Sequence, residues 1–256
     1  MNRIDKLFEL KKDPVLSVYY TAGFPNLNST LEVMKALQDS GADMVEIGMP
    51  YSDPLADGPV IQQSNRVALK NGMSIQVLFE QLKTLRDHIK IPVILMGYMN
   101  PVLQFGIKEF CRAATAVGID GIIFPDLPVD EFRNGYQQIF NETNQHFIFL
   151  ITPETSEERI RKIDSLSSGF IYAVSSSSTT GNHKDLENQG TYFRKIREMK
   201  LRNPFLIGFG IKDKESFLIA TKHSRGAIIG TAFIRALEGS GDIGKSTKEF
   251  LKTILT

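Results

Sequence analysis

Short apolar runs rich in β-branched and aromatic residues recur along the chain at 16–20, 44–48, 93–96, 121–124, 147–151, 170–174, 205–208 and 227–229. Runs of that length and composition predict eight strands. Between them the apolar period lengthens: Leu31/Met34/Leu37, Leu78/Leu82/Leu85, Phe110/Ala113/Val117, Tyr136/Ile139/Phe140, Ile160/Ile163/Leu166, Phe193/Ile196/Met199 and Phe217/Ala220 all recur at helical spacing. Strands alternating with amphipathic helices predict parallel β-α-β units, and eight such units close into a (β/α)8 TIM barrel. Gly41, Gly72 and Gly118 stand where helical runs end, and Thr155-Ser156-Glu157-Glu158 offers a capping box where one begins. An open doubly wound sheet is the competing arrangement. The Gly-x-Gly-x-x-Gly turn that usually follows its first strand is missing.

The expected architecture is therefore a single α/β domain over residues 1–256, a barrel with an extra N-terminal helix. Two spacings between strand starts, from Met44 to Val93 and from Phe170 to Phe205, exceed the rest. Extended loops after strands two and six follow. In a barrel the βα loops form the active-site face, so these two connections are where a substrate is expected to be covered.

The remaining composition excludes several classes of function. Among 256 residues, 30 Lys and Arg balance 29 Asp and Glu, and no stretch concentrates basic residues with aromatics between them. Neither nucleic acid nor an anionic membrane is the expected partner. One cysteine, Cys111, precludes an internal disulfide, and the four His show no metal-ligand spacing, so no metal is expected. Cys111 falls within a helical pattern and reads as an inert core thiol. The polar amino terminus and the absence of a membrane-length apolar run predict a soluble, cytoplasmic protein.

The chemistry concentrates in residues 45–59. Val45 and Ile47 share one face of a period-2 strand, so Glu46 points to the other. In a strand buried on both faces, an ionised carboxylate costs several kcal/mol unless it is paired, hydrogen-bonded or shifted towards its neutral form. The neutral form is the state a general acid needs, and no Arg or Lys lies nearby in sequence to make a salt bridge. A second carboxylate, Asp57, follows in a Pro- and Gly-punctuated turn. Read from the residues alone, it serves either the turn or an acid/base pair.

Three glycine-bearing segments follow the last three strands: Thr179-Thr180-Gly181, Gly208-Phe209-Gly210 and the stretch from Gly230 and Thr231 to Ile234. Glycines let backbone N–H groups approach an anion, and a short helix beginning near Thr231 presents unpaired donors. Together they fit the phosphate site that barrels build after strands seven and eight. Thr180 and Gly181 are the ligand end of the first segment. No Lys or Arg is embedded in these segments, so a phosphate monoester held by neutral donors is expected.

Glu46 and Asp57 within Pro50-Tyr51-Ser52-Asp53-Pro54-Leu55-Ala56-Asp57-Gly58-Pro59 closely resemble the signature of the tryptophan synthase alpha chain family. Tyr98-Met99-Asn100-Pro101, Pro125-Asp126-Leu127-Pro128, Thr180-Gly181, Gly208-Phe209-Gly210-Ile211 and Gly230-Thr231-Ala232 fit the same family in order. The resemblance runs from about residue 4 to the end. It implies a (β/α)8 barrel that cleaves indole-3-glycerol phosphate to indole and glyceraldehyde 3-phosphate in tryptophan biosynthesis. Glu46 and Asp57 are then catalytic, and Gly181, Gly210, Gly230 and Thr231 hold the phosphate. Tyr19, Ile61, Met96, Tyr98, Ile123, Tyr172, Thr180 and Phe209 contact the rest of the substrate, with Tyr172 near the catalytic carboxylate. Asp53 meets the partner, a beta chain with which the alpha chain forms an alpha2beta2 complex. No cofactor belongs to this chain, and pyridoxal phosphate is expected in the beta chain. The sequence departs from the family at Ser176 and Ser178, where an Arg and a Gly are frequent, at Phe24 in place of an acid, and at Thr231 in place of Ser.

Two other enzyme readings share the barrel: a sugar-phosphate isomerase or epimerase, and a stand-alone lyase that releases free indole. A third reading is a non-catalytic allosteric subunit, which predicts decay of the acidic pair. Glu46 and Asp57 are both intact.

Overall fold

The computed structural model describes residues 1–174, 190–208, 210–239 and 241–256. Nine parallel strands form one sheet: β1 (Val15–Thr21), β2 (Met44–Gly48), β3 (Val93–Met96), β4 (Gly121–Ile123), β5 (His146–Phe147), β6 (Leu150–Ile151), β7 (Ile171–Val174), β8 (Phe205–Gly208) and β9 (Gly226–Ile229). Their order is β5-β4-β3-β2-β1-β9-β8-β7-β6. The two ends of that row are the halves of a single run. The Ile148 N–H donates to Ile122 on the β4 side, and Phe149 O accepts from the Tyr172 N–H on the β7 side. The expected fifth strand thus turns from one neighbour to the other in mid-course and closes the ring, which is why one predicted strand becomes two short ones.

Strand alternation divides the core in two. Leu16, Val18, Tyr20, Val45, Ile47, Leu95, Ile122, Ile207 and Ala227 pack outward against the helices. Val15, Met44, Ile94, Ile123, Ile148, Tyr172, Leu206 and Ile228 fill the barrel. The helix Arg3–Leu10 lies across the barrel floor: its Ile4 is fully buried within the inner cluster and packs where a Cβ on Gly121 or Gly169 would sit. Below β4, buried Asp120 receives Arg3 at 3.0 Å and Arg86, and accepts the Val93 N–H at 2.9 Å. This network pins the floor helix to the strand ends.

Gly41, Gly72 and Gly118 all end helices with positive φ, where a Cβ is disfavoured. The expected capping box does not form, and the N-cap lies one residue further on. Ser156 is the N-cap of Glu157–Leu166 and accepts from the Arg159 N–H, while the Thr155 hydroxyl accepts from the Thr152 N–H. The material added after β2 is mostly helical, Pro59–Lys70 and Ile75–Gln81, so the loop itself is residues 49–58. The loop after the sixth predicted strand, with Ser176 and Ser178, lies outside the described residues. Phe24 is buried in the outer core. Cys111 is buried too, its thiol pushed up to about 12 by desolvation. No helix among the described residues is long and apolar enough to cross a membrane.

Candidate active site

β1 and β2 pair so that Tyr19 stands opposite Glu46, both on the inward face. Glu46 is fully buried. Its Oε1 accepts a hydrogen bond from the Ser17 hydroxyl at 2.8 Å, while Oε2 has no hydrogen-bond partner among the described residues. Desolvation raises the carboxyl pKa to about 7, only partly opposed by the Ser17 hydrogen bond. Near neutrality, Glu46 is therefore divided between its acid and base forms.

Two tyrosines flank it. Tyr19 leans along the strand direction over Gly48 of β2, where a Cβ would come within 2.0 Å of its hydroxyl oxygen. Tyr172 of β7 leans over Gly208 of β8 in the same way. Both phenols feel the charges of Glu46 and Asp57, and burial first of all raises their pKa values well above the ordinary range. They stay neutral at any pH where the carboxyls titrate.

Asp57 sits just before Gly58, the N-cap of helix Pro59–Lys70, which begins with proline at its first position. The helix holds it from two sides: Gln62 Nε2 donates to its backbone carbonyl at 2.9 Å, and Asn65 Nδ2 approaches its Oδ2 at 3.4 Å. Tyr98 steadies the preceding residue by accepting the Ala56 N–H at 3.0 Å, and its ring packs on Tyr51. Burial raises the Asp57 pKa to about 6, with hydrogen bonds from Tyr98 and Asn65 working against the rise. Burial thus raises both carboxyls, opposed at Glu46 by one hydroxyl and at Asp57 by two side-chain hydrogen bonds.

Above these groups opens a cavity of about 370 Å³. Its walls include Tyr19, Asp57, Ile61, Met96 and Tyr172 together with Gly210, Gly230 and Thr231. Gly230 caps the helix Thr231–Leu237, which starts where the glycine pattern predicted. The structure thus gathers eight of the expected site residues around one space. Glu46 lies beneath that space and does not line it. Ile123, paired in register with Met96, is likewise buried in the barrel and not in the wall. Asp53 is exposed on the loop after β2, hydrogen-bonded to Ser52. Thr180, Gly181 and Phe209 lie outside the described residues.

The cavity also has two cationic walls that the glycine segments did not point to. Lys212 and Arg235 also line the cavity, and neither has an ion-pair partner among the described residues. Lys212 follows Gly210 by two residues, and Arg235 lies one helical turn beyond Thr231. That i,i+4 spacing was the available signal. Two of the sequence motifs prove to serve one another. The Asp126 carboxylate accepts the Met99 N–H at 3.0 and 3.1 Å, capping the helix Met99–Phe105.

Residues 7–254 match the family profile described as Tryptophan synthase alpha chain. The chain belongs to this family. It is 54% identical over 243 residues to the tryptophan synthase alpha chain of Flavobacterium psychrophilum, covering 94% of this chain and 95% of that one. It is 50% identical over 255 residues to that of Parabacteroides distasonis, covering 99% of each. Among solved structures, the tryptophan synthase subunit alpha of Legionella pneumophila superposes with a TM-score of 0.88 at 34% identity, over 99% of this chain and 97% of that one. A chain of the tryptophan synthase complex from Pyrococcus furiosus superposes with a TM-score of 0.85 at 33% identity, over 95% and 98%.

Proposed function

We propose that this alpha chain cleaves indole-3-glycerol phosphate to indole and glyceraldehyde 3-phosphate, with Glu46 carrying the proton and Asp57 holding the indole nitrogen. The observation that carries the reading is a pair of carboxyls at one cavity, Asp57 in its wall and Glu46 fully buried behind it, both shifted by burial towards the neutral form. Breaking the bond between the ring and the glycerol chain leaves an electron pair that the aromatic ring accepts only after carbon C3 has been protonated. Protonated Glu46 donates to C3, forming an indoleninium. The carbon–carbon bond then breaks, its electrons restore the ring, and Glu46 recovers a proton from the glycerol hydroxyl as the aldehyde forms. Anionic Asp57 accepts the indole N–H and offsets the positive charge that develops on nitrogen.

The walls suit the two ends of that substrate. Ile61, Met96 and Ile228 offer an apolar flank for a flat ring, a requirement that a sugar-phosphate isomerase does not have. At the other end, Gly210, Gly230 and Thr231 supply backbone and hydroxyl donors, and Lys212 and Arg235 supply positive charge to a phosphate. The family resemblance assigns further substrate contacts to Thr180, Gly181 and Phe209, and Tyr98 hydrogen-bonds Asp57.

The chain works with a beta chain in an alpha2beta2 assembly in the cytoplasm. Pyridoxal phosphate belongs to that beta chain. The loop after β2, with Asp53 and the 93% exposed Leu55, is the surface that meets it.

The test is cleavage of indole-3-glycerol phosphate by the chain, alone and with a beta chain. Glu46→Gln should lose well over a hundredfold in rate with little change in substrate binding, and Asp57→Asn on the order of a hundredfold. A Glu46→Gln protein that keeps more than about a tenth of the turnover, a barrier change of only ~1.4 kcal/mol, overturns the assignment.

A further inference from the structure

Ser17 is fully buried on the inward face of β1, one inward position nearer the barrel floor than Tyr19. Its hydroxyl donates to Glu46 Oε1 at 2.8 Å and has no other hydrogen bond among the described residues. The register places Ser17 opposite Met44, below the level of Glu46. A bond in that direction draws the carboxyl towards the floor, in keeping with its absence from the cavity wall and its zero exposure. The partnerless Oε2 is the atom left for a substrate.

We propose that Ser17 is a positioning residue for the reaction, tethering Glu46 beneath the cavity through a single hydroxyl hydrogen bond. The inference rests on Glu46 being the proton carrier. A hydroxyl donating to a carboxylate stabilises the charged form, so Ser17 holds down the proton affinity that burial raises. Other groups facing Glu46 do not take over this task. Tyr19 on β1 and Tyr172 on β7 stay neutral, Ile94 opposite on β3 is apolar, and Asp57 acts on the same two phenols from the loop after β2. Burial and the Ser17 hydroxyl are the influences on the Glu46 carboxyl itself, and no cation is among them. A general acid loses activity as pH rises through its pKa, so Ser17 sets where the alkaline limb of the pH profile falls.

The experiment compares wild type, Ser17→Ala and Ser17→Thr in protein labelled with 13C at the Glu side-chain carboxyl, the Glu46 resonance being assigned with Glu46→Gln. Ser17→Ala should raise the Glu46 titration by about one unit, and the alkaline limb of kcat/KM should move up with it. Ser17→Thr, which keeps a hydroxyl, should stay near wild type. Should the alanine variant fail to fold, Ser17→Cys, a weak donor of similar shape, should shift the titration in the same direction. A folded Ser17→Ala or Ser17→Cys protein whose Glu46 titration stays in place overturns the proposal, even if activity falls at every pH. If wild type does not cleave indole-3-glycerol phosphate, the proposed activity fails, and the carboxyl titration still decides the role of Ser17.

Discussion

The Tyr172 phenol occupies the space that a side chain on Gly208 would fill: a Cβ there would lie 2.2 Å from the hydroxyl oxygen and 2.4 Å from the nearest ring carbons. A cavity wall is thereby set by a missing side chain on the neighbouring strand. Gly208→Ala should evict the Tyr172 ring towards the cavity and cost on the order of 1–3 kcal/mol from overpacking. Urea denaturation should show the lowered midpoint, and KM for the substrate should rise as the space narrows. An alanine variant with unchanged midpoint and KM would show that the ring is not confined there.

The pH dependence of stability gives a second prediction. Folded Glu46 keeps its proton up to about pH 7, whereas the unfolded chain releases it near 4.5. Between those values the folded state binds more protons, so stability falls as pH rises through the window and levels off above it. For a fully buried group the loss is on the order of 3 kcal/mol. Glu46→Gln should therefore match wild type near pH 4 and exceed it in stability at pH 8, the same change that removes activity. Asp57 leaves a smaller fall below about pH 6 in both proteins. Denaturation curves that run parallel from pH 4 to 8 would contradict this.

The phosphate end gives a third. Lys212 and Arg235 are exposed and unpaired among the described residues at the cavity rim, so their attraction for a phosphate is screened by salt. Replacing both by alanine should weaken glycerol phosphate binding roughly three- to thirtyfold at low ionic strength and flatten the fall of kcat/KM with added salt. Titration calorimetry at two salt concentrations measures both effects. A double variant with the wild-type salt slope would assign the phosphate to the backbone donors alone.

What could be read from the chain and what could not divide along a physical line. Glu46 was legible because Val45 and Ile47 fix its direction by strand alternation alone, and Gly230 because a helix start follows it immediately. Ser17 was not, because its partner is chosen by the register between two strands, which no local pattern encodes. Arg235 has a helical spacing from Thr231 that sets its face but not what that face overlooks. The run 147–151 was correctly apolar, yet its division into β5 and β6 depends on where β4 and β7 end. The shift of the helix cap from Thr155 to Ser156 is a choice between two hydroxyls of nearly equal capping strength, decided by the Thr152 contact that occupies Thr155.

The floor helix ties the proton affinity of Glu46 to closure of the whole ring. Ile4 of that helix belongs to the same inner cluster as Ile228 of β9, and β1 pairs with β2 on one side and β9 on the other. The raised pKa of Glu46 comes first from burial, and that burial is built from strands and a helix drawn from both halves of the chain. No single segment carries it.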